Sequence, residues 1–166
     1  MQNKLLVVID LQNDITKNYK EIIAGVNQAI DFAAAHDIPV VYIKHNNLSA
    51  GTRTFKPDTH GAELVPEMHI VSDNIFVKSK GNALTSEGFA AFIGKNGIDT
   101  FYIAGADATA CVKSTCFNLR KADYAVGVLS DCVTSYDKRK IDEMLRYYES
   151  KGCQITALKD FLITEM

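Results

Sequence analysis

The stretch TFYIAGADATACVKSTC, residues 100–116, predicts a buried strand, a turn of small residues and then a helix. The strand is indicated by residues 101–103, which are apolar or aromatic and favour β structure. The helix is expected to begin near Thr109, so Cys111 falls in its first turn. Backbone N–H groups and the positive end of the helix dipole at that position favour a thiolate over a thiol. The pattern therefore predicts a nucleophilic cysteine at the carboxyl end of a strand.

The rest of the chain alternates between short apolar runs and amphipathic helical patterns. Strands are predicted over residues 5–10, 40–44, 74–78, 101–104, 126–130 and 154–158. Helices are predicted over residues 21–36, 86–95, 138–150 and from near Thr109 to about Lys121, with a long loop over 49–67. This alternation predicts an α/β protein, a three-layer α/β/α, doubly wound, mostly parallel six-stranded sheet. No linker or repeat interrupts it, so we expect a single domain over residues 1–166.

Composition excludes several classes of protein. A chain of 166 residues with 47% hydrophobic residues suits a globular domain, and a net charge of −2 gives no reason to expect nucleic acid or a membrane surface as partner. The longest apolar runs are far too short to span a bilayer. The first residues, MQNKLLVVIDLQ, enter a strand pattern without the long apolar stretch of a signal peptide. We therefore expect a cytoplasmic protein.

The 4 cysteines do not suggest a disulfide framework, because the chain is neither small nor cysteine-dense and holds no CxxC pair. Cys116, Cys132 and Cys153 are expected to be reduced and mostly buried. Cys116 lies more than a turn beyond Cys111 on the predicted helix, which favours a core position over a resolving thiol.

Three chemically active side chains fall at strand ends in this prediction. Asp10 ends the first strand, Lys78 ends the third, and Cys111 follows the fourth. Taken singly, each has an ordinary structural explanation, as a cap, a solvated lysine or a packed thiol. In open parallel sheets, however, ligands bind outside the carboxyl ends of the strands. Their convergence there predicts thiol-based hydrolysis, since a thiol, a carboxylate and a cation supply nucleophile, proton carrier and charge stabilisation.

Four segments resemble the isochorismatase-like cysteine hydrolase superfamily, which includes isochorismatases, nicotinamidases and N-carbamoylsarcosine amidase. They are VVIDLQND (7–14), VKSKGNAL (77–84), IAGADATACVKSTC (103–116) and VLSDCVTS (128–135). The resemblance covers nearly the whole chain in the family's order and spacing. It implies a hydrolase of small molecules that forms homo-oligomers, commonly dimers or tetramers.

Carried over residue by residue, the resemblance assigns Asp10, Lys78 and Cys111 as a catalytic triad. It also implies a non-proline cis peptide bond at Ala106–Asp107, which in the family aims backbone N–H groups at the developing oxyanion. By position, these donors are the N–H groups of Asp107 and Cys111. The implied reaction cleaves an amide-type carbon–nitrogen bond through a thioester. Lys80 is a rival to Lys78, since it points the same way if the strand continues.

Four further residues are weaker candidates for substrate binding, namely Gln12, His45, Phe55 and Tyr136. His45 follows the second strand at the same edge, where it would contact substrate or a loop carbonyl. Gln12 would orient Asp10, help to form the pocket or stabilise a turn. Phe55 would cover the site or make a subunit contact, and Tyr136 would line the pocket from the far side.

The sequence departs from the family at several positions. Ile15 stands where an aromatic residue is common, and Ala108 where threonine is usual. Nicotinamidases carry an Asp-x-His pair and further histidines after the second strand, which bind a metal. Here the region reads IKHNNLSAGTRTFKPDTHGAEL (43–64), with His45 and His60 but no such pair. Two histidines separated by a flexible loop do not make a ligand set, so we expect no metal and no organic cofactor.

Three other functions stay open at this point. The bond cleaved could differ, as in the vinyl ether of isochorismate. The protein could be a non-catalytic member that binds a ligand or a partner, although all three triad residues are present. A nucleotide- or flavin-binding domain is disfavoured, because DLQND follows the first strand where a phosphate-cradling glycine loop would stand.

Overall fold

The computed structural model describes residues 3–164, and its sheet has six strands in the order β3-β2-β1-β4-β5-β6. Every neighbouring pair of strands is parallel. The strands are β1 (Lys4–Ile9), β2 (Val40–His45), β3 (Ile75–Lys78), β4 (Thr100–Gly105), β5 (Ala125–Val133) and β6 (Gln154–Thr156). The predicted α/β class and doubly wound sheet are confirmed, and the sheet is wholly parallel.

Helices cover both faces of the sheet. They are α1 (Ile23–Ala35), α2 (Glu87–Asn96), α3 (Cys111–Lys121), α4 (Ile141–Ser150) and α5 (Leu158–Phe161). Side chains alternate along β1, so Leu5, Val7 and Ile9 are buried against α2, α3 and α4, whereas Leu6 and Val8 are buried against α1 and α5. Within residues 3–164, no helix has the length and apolarity needed to cross a membrane.

The boundaries of the last elements differ from the prediction. The sixth strand was expected over residues 154–158, but it ends at Thr156 and Leu158 begins α5. The Leu158 backbone N–H donates to Asp131 Oδ1 at 2.9 Å, which supplies an acceptor at the start of the short helix. An aspartate within β5 therefore favours the start of α5 directly after β6.

The cysteines are all free thiols. Cys116, Cys132 and Cys153 are buried, as predicted. Cys116 is 1% exposed and belongs to the core between the sheet and α2–α4, so its placement as a core residue is confirmed.

Candidate active site

The structure brings Asp10, Lys78 and Cys111 together at the carboxyl edge of the sheet. Asp10 directly follows β1, Lys78 is the last residue of β3, and Cys111 is the first residue of α3. Lys78 Nζ donates to Asp10 Oδ2 at 3.1 Å and to Cys111 Sγ at 3.2 Å. Both Asp10 and Lys78 are 2% exposed. A carboxylate and an ammonium that are both buried therefore meet a half-buried thiol at the ends of their strands.

Lys80 lies outside this cluster. β3 ends at Lys78, and the following residues form a bend in which Lys80 is exposed. The strand alternation that would have turned Lys80 toward the site does not extend so far. Lys78 is thus the lysine that contacts Asp10 and Cys111.

The surroundings of Cys111 favour the thiol over the thiolate. Burial raises its pKa to about 12, together with the negative charge of Asp10, and the ammonium of Lys78 offsets only part of this. Burial also raises the pKa of Asp10 against the opposing charge of Lys78. The direction of this shift opposes the thiolate predicted from the helix terminus, because that argument left out burial and the neighbouring carboxylate. The nucleophile must be generated by proton transfer.

Asp10 has an oxygen available for that transfer. Its Oδ2 accepts from Lys78, whereas Oδ1 is buried and has no hydrogen-bond partner among residues 3–164. A buried carboxylate oxygen without a donor is energetically costly. The Asp10 carboxylate lies within 4.8 Å of the Cys111 thiol, and an unpaired acceptor on it suits a group that takes up a proton.

Replacing Asp10 with asparagine is expected to speed the alkylation of Cys111. The substitution removes the negative charge that raises the thiol pKa and leaves Lys78 in place, so the pKa should fall. A fall of about one unit gives about tenfold more thiolate. Iodoacetamide labelling at about pH 8, followed by mass spectrometry of the Cys111 peptide, measures the rate. Unchanged or slower labelling of a folded Asp10→Asn protein would contradict this account of the thiol.

His45 is the third partner of Lys78. Its Nδ1 lies 2.8 Å from Lys78 Nζ. Burial and the charge of Lys78 lower the pKa of His45, so the imidazole is neutral at neutral pH. The sequence predicted a contact with substrate or a loop carbonyl, and the contact that the structure places there is with the lysine.

The Gln12 side chain positions the backbone of His45 through hydrogen bonds. Gln12 Oε1 accepts from the His45 N–H at 2.9 Å, and Gln12 Nε2 donates to the carbonyls of His45 at 2.9 Å and Ala62 at 2.7 Å. The side chain is wholly buried and both of its donors are used. The predicted substrate contact of Gln12 is therefore replaced by a positioning role.

Phe55 lies near His45, and Tyr136 lies beside Asp107. Phe55 is 8% exposed, and the centroid of its ring is 6.1 Å from that of His45. Tyr136 is 72% exposed, and its side chain lines a cavity of about 430 Å³ beside Asp107. Contact of either residue with substrate stays a prediction.

The turn before α3 has the predicted backbone. The peptide bond at Ala106–Asp107 is cis. Among residues 3–164, the N–H groups of Asp107 and Cys111 have no backbone acceptor, so both donors are available at this turn. The phenol of Tyr148 donates to the carbonyl of Ala108 from within the core, which ties the turn to α4.

The carboxylate of Asp107 is a functional group that the sequence reasoning missed. It accepts five hydrogen bonds, from Tyr19 Oη, the Thr109 N–H and Oγ1, Ser135 Oγ and the Tyr136 N–H, at 2.8–2.9 Å. Burial alone would raise its pKa, but these donors together hold it below the ordinary value. The Asp-x-Thr pattern at residues 107–109, which is typical of a local side-chain-to-backbone turn, was the signal available in the sequence.

The donor set at this site surrounds an ammonium. Asp10, His45 and Cys111 each offer an atom, and these atoms lie within 4.8 Å of one another. Lys78 Nζ is within hydrogen-bond distance of the same three groups. A metal ion would have to displace the lysine, so the arrangement fits a lysine-centred cluster better than a metal site. His60 is remote from it, with its Nε2 3.4 Å from the Asn13 amide at the surface.

Comparisons with known proteins agree with the fold. The sequence matches the family model of the isochorismatase domain over residues 4–160. A "probable inactive nicotinamidase" of Arabidopsis thaliana is 26% identical over 81% of this chain and 82% of that protein. A solved isochorismatase family protein from Desulfovibrio vulgaris superposes with a TM-score of 0.88 at 17% identity, covering 96% of each chain. N-carbamoylsarcosine amidase from Thermoplasma acidophilum gives 0.82 at 21% identity, over 95% of this chain and 97% of that one.

Proposed function

This chain belongs to the isochorismatase family of hydrolases, and on that premise we propose that it is a cysteine-dependent hydrolase of an amide-type carbon–nitrogen bond in a small molecule. The observation that carries the proposal is the double contact of Lys78 Nζ with Asp10 Oδ2 and Cys111 Sγ. The choice of an amide bond draws support from the similarity to N-carbamoylsarcosine amidase. The proposed triad is Asp10, Lys78 and Cys111.

In the first half of the proposed reaction, Asp10 accepts the thiol proton through its free oxygen. The thiolate of Cys111 attacks the substrate carbonyl, while Lys78 stabilises the nearby negative charge. The backbone N–H groups of Asp107 and Cys111 donate to the oxyanion of the tetrahedral intermediate. One such donor can contribute about 2.7–4 kcal/mol to lowering a barrier. Collapse of the intermediate breaks the carbon–nitrogen bond, and protonated Asp10 gives its proton to the leaving nitrogen.

In the second half, water hydrolyses the thioester. Asp10, ionised again, removes a proton from the attacking water, and a second tetrahedral intermediate forms in the same oxyanion site. The carbon–sulfur bond then breaks, the proton on Asp10 returns to the sulfur, and the acid product leaves. The raised pKa of Asp10 suits both directions of proton transfer. We propose no metal or organic cofactor for this cycle.

The remaining features of the proposal follow from the sequence. We propose a cytoplasmic protein that acts as a homo-oligomer, a dimer or a tetramer, without nucleic acid or membrane partners. Hydrolysis of another bond, such as a vinyl ether, is a second candidate. The third candidate is a non-catalytic protein, which is suggested by the name "probable inactive nicotinamidase" of the Arabidopsis relative. The intact contacts among the three proposed triad residues favour catalysis over that third candidate.

Replacing Cys111 with alanine is expected to abolish ammonia release from a panel of small amides. The panel includes nicotinamide, N-carbamoyl amino acids and simple aliphatic amides. Without the nucleophile, turnover should fall at least about 10³-fold. Cys132→Ala is the matched control, because Cys132 is a buried free thiol on the other side of the sheet and should leave turnover unchanged. Equal turnover by wild type and Cys111→Ala would exclude a cysteine hydrolase.

Absence of turnover on every amide would be read together with the labelling of Cys111. If Cys111 is alkylated faster in Asp10→Asn than in wild type, the nucleophile is supported and the substrate contains a bond other than an amide. A thiol that does not respond would favour the non-catalytic candidate.

A further inference from the structure

The ammonium of Lys78 has three partners, and the triad accounts for two of them. Its Nζ lies 3.1 Å from Asp10 Oδ2, 3.2 Å from Cys111 Sγ and 2.8 Å from His45 Nδ1, the shortest of the three contacts. The lysine side chain is wholly inaccessible to solvent, so water cannot substitute for a lost partner. An ammonium has three hydrogens to donate. One contact for each hydrogen therefore fixes the lysine head group in position.

The chemistry of the contact sets the state of the histidine. A lysine ammonium can only donate, so His45 Nδ1 must accept and the ring must carry its proton on Nε2. Two charges face His45 within this cluster, Asp10 after β1 and Lys78 on β3, together with the neutral thiol of Cys111 on α3. Phe55 packs on the remaining side with an uncharged ring. An imidazolium here would lose the acceptor and bring a second cation against the lysine.

We propose that His45 is a positioning residue that, as the neutral Nε2–H tautomer, holds the Lys78 ammonium against Asp10 and Cys111, and that its protonation releases the lysine and switches off the site. This inference rests on the proposed hydrolase function and adds a mode of regulation to it. Gln12 supports this arrangement, because its side-chain amide hydrogen-bonds to both the N–H and the carbonyl of the His45 backbone. The site is thereby active at neutral pH and inactive in acid.

The pH dependence has a definite sign. Burial and Lys78 lower the pKa of His45, so the neutral ring persists until the pH falls below the ordinary value of 6.5. The pKa of Asp10 is raised, so its protonation also lowers activity on the acid side. The activity of the wild-type protein is therefore expected to fall in two steps as the pH decreases, one from protonation of His45 and one from protonation of Asp10. A variant that keeps an acceptor but cannot be protonated should retain only the step due to Asp10.

The test compares kcat and KM for His45→Asn and His45→Leu between about pH 5 and pH 8. Asparagine places a carbonyl oxygen near the position of Nδ1, so we expect kcat within a few-fold of wild type at neutral pH and an acid limb shifted to lower pH. Leucine offers no acceptor, so kcat should fall about 10–100-fold with little change in KM. His36→Gln is the control, an exposed histidine stacked on Phe32, and should match wild type.

Two results would overturn the proposal. One is a loss of kcat in His45→Asn equal to that in His45→Leu, and the other is an acid limb in His45→Asn that coincides with wild type. Nitrogen-15 NMR of the histidines in the wild-type protein decides the question without any substrate. An unprotonated Nδ1 in His45 at neutral pH is expected, whereas a protonated Nδ1 would refute the contact. Failure of the hydrolase proposal would appear separately, as turnover that does not depend on Cys111.

Discussion

Replacing Lys78 with methionine is expected to lower the free energy of unfolding by about 3–5 kcal/mol and to abolish hydrolysis. The substitution keeps most of the side-chain volume but leaves the buried Asp10 carboxylate without its donor on Oδ2, in addition to the unpaired Oδ1. His45 Nδ1 loses its partner in the same step. Urea unfolding followed by circular dichroism at neutral pH measures the stability, and the amide assay measures turnover.

The matched control is Lys80→Met, two residues further along the chain. Lys80 is exposed, so the change should stay within about 0.5 kcal/mol and leave turnover intact. Should Lys78→Met fail to fold, the double variant Asp10→Asn with Lys78→Met removes both charges and should fold again, because removing both partners of a buried pair costs far less than removing one. Equal stabilities of Lys78→Met and Lys80→Met would refute the buried ion pair.

Replacing Gly105 with alanine is expected to lower the free energy of unfolding by more than about 4 kcal/mol or to prevent folding. Gly105 ends β4 with a φ of +120°, in a region that side chains rarely tolerate. A Cβ there would lie 2.2 Å from the carbonyl oxygen and 2.6 Å from the backbone nitrogen of Ile9. Both atoms belong to the main chain of the neighbouring β1, which cannot move aside. Expression level and urea unfolding measure the effect.

Gly94→Ala separates this close approach from the general effect of a methyl group. Gly94 lies within α2, and nothing would stand within 4 Å of its added Cβ. That variant should gain about 0.5–1 kcal/mol, since alanine favours the helix. A Gly105→Ala protein within about 1 kcal/mol of wild type would show that the two strands are less tightly apposed than the structure has them.

The sequence was sufficient for the α/β class and for the edge at which the site lies. Strand ends are set by local pattern, and a parallel sheet brings those ends to one side, so the meeting of Asp10 and Cys111 could be predicted from the sequence. The choice between Lys78 and Lys80 depended on where β3 ends, which the sequence left open. Residues 154–158 were misjudged because an aspartate on another strand caps the helix that begins at Leu158.

Other features of the site depend on distances that no linear pattern encodes. The pKa of the Cys111 thiol depends on burial and on a carboxylate about a hundred positions away in the chain, so the helix terminus alone gave the opposite direction for its shift. The contact of His45 with Lys78 joins two strands across a long loop. The role of Gln12 likewise appears only when its amide meets the backbone of β2.

The strand order has a consequence for the cohesion of the sheet itself. β3 is an edge strand, paired only with β2, and its side chains at Ile75 and Val77 are 39% and 45% exposed. Such a short, partly exposed edge strand is prone to local unfolding. Its last residue, however, is Lys78, whose head group reaches past β2 to a carboxylate after β1 and to a thiol on α3. The hydrogen bonds that position the Lys78 ammonium for catalysis thus also hold the edge strand β3 to the centre of the sheet. A substitution that removes the ammonium is therefore expected to destabilise β3 as well.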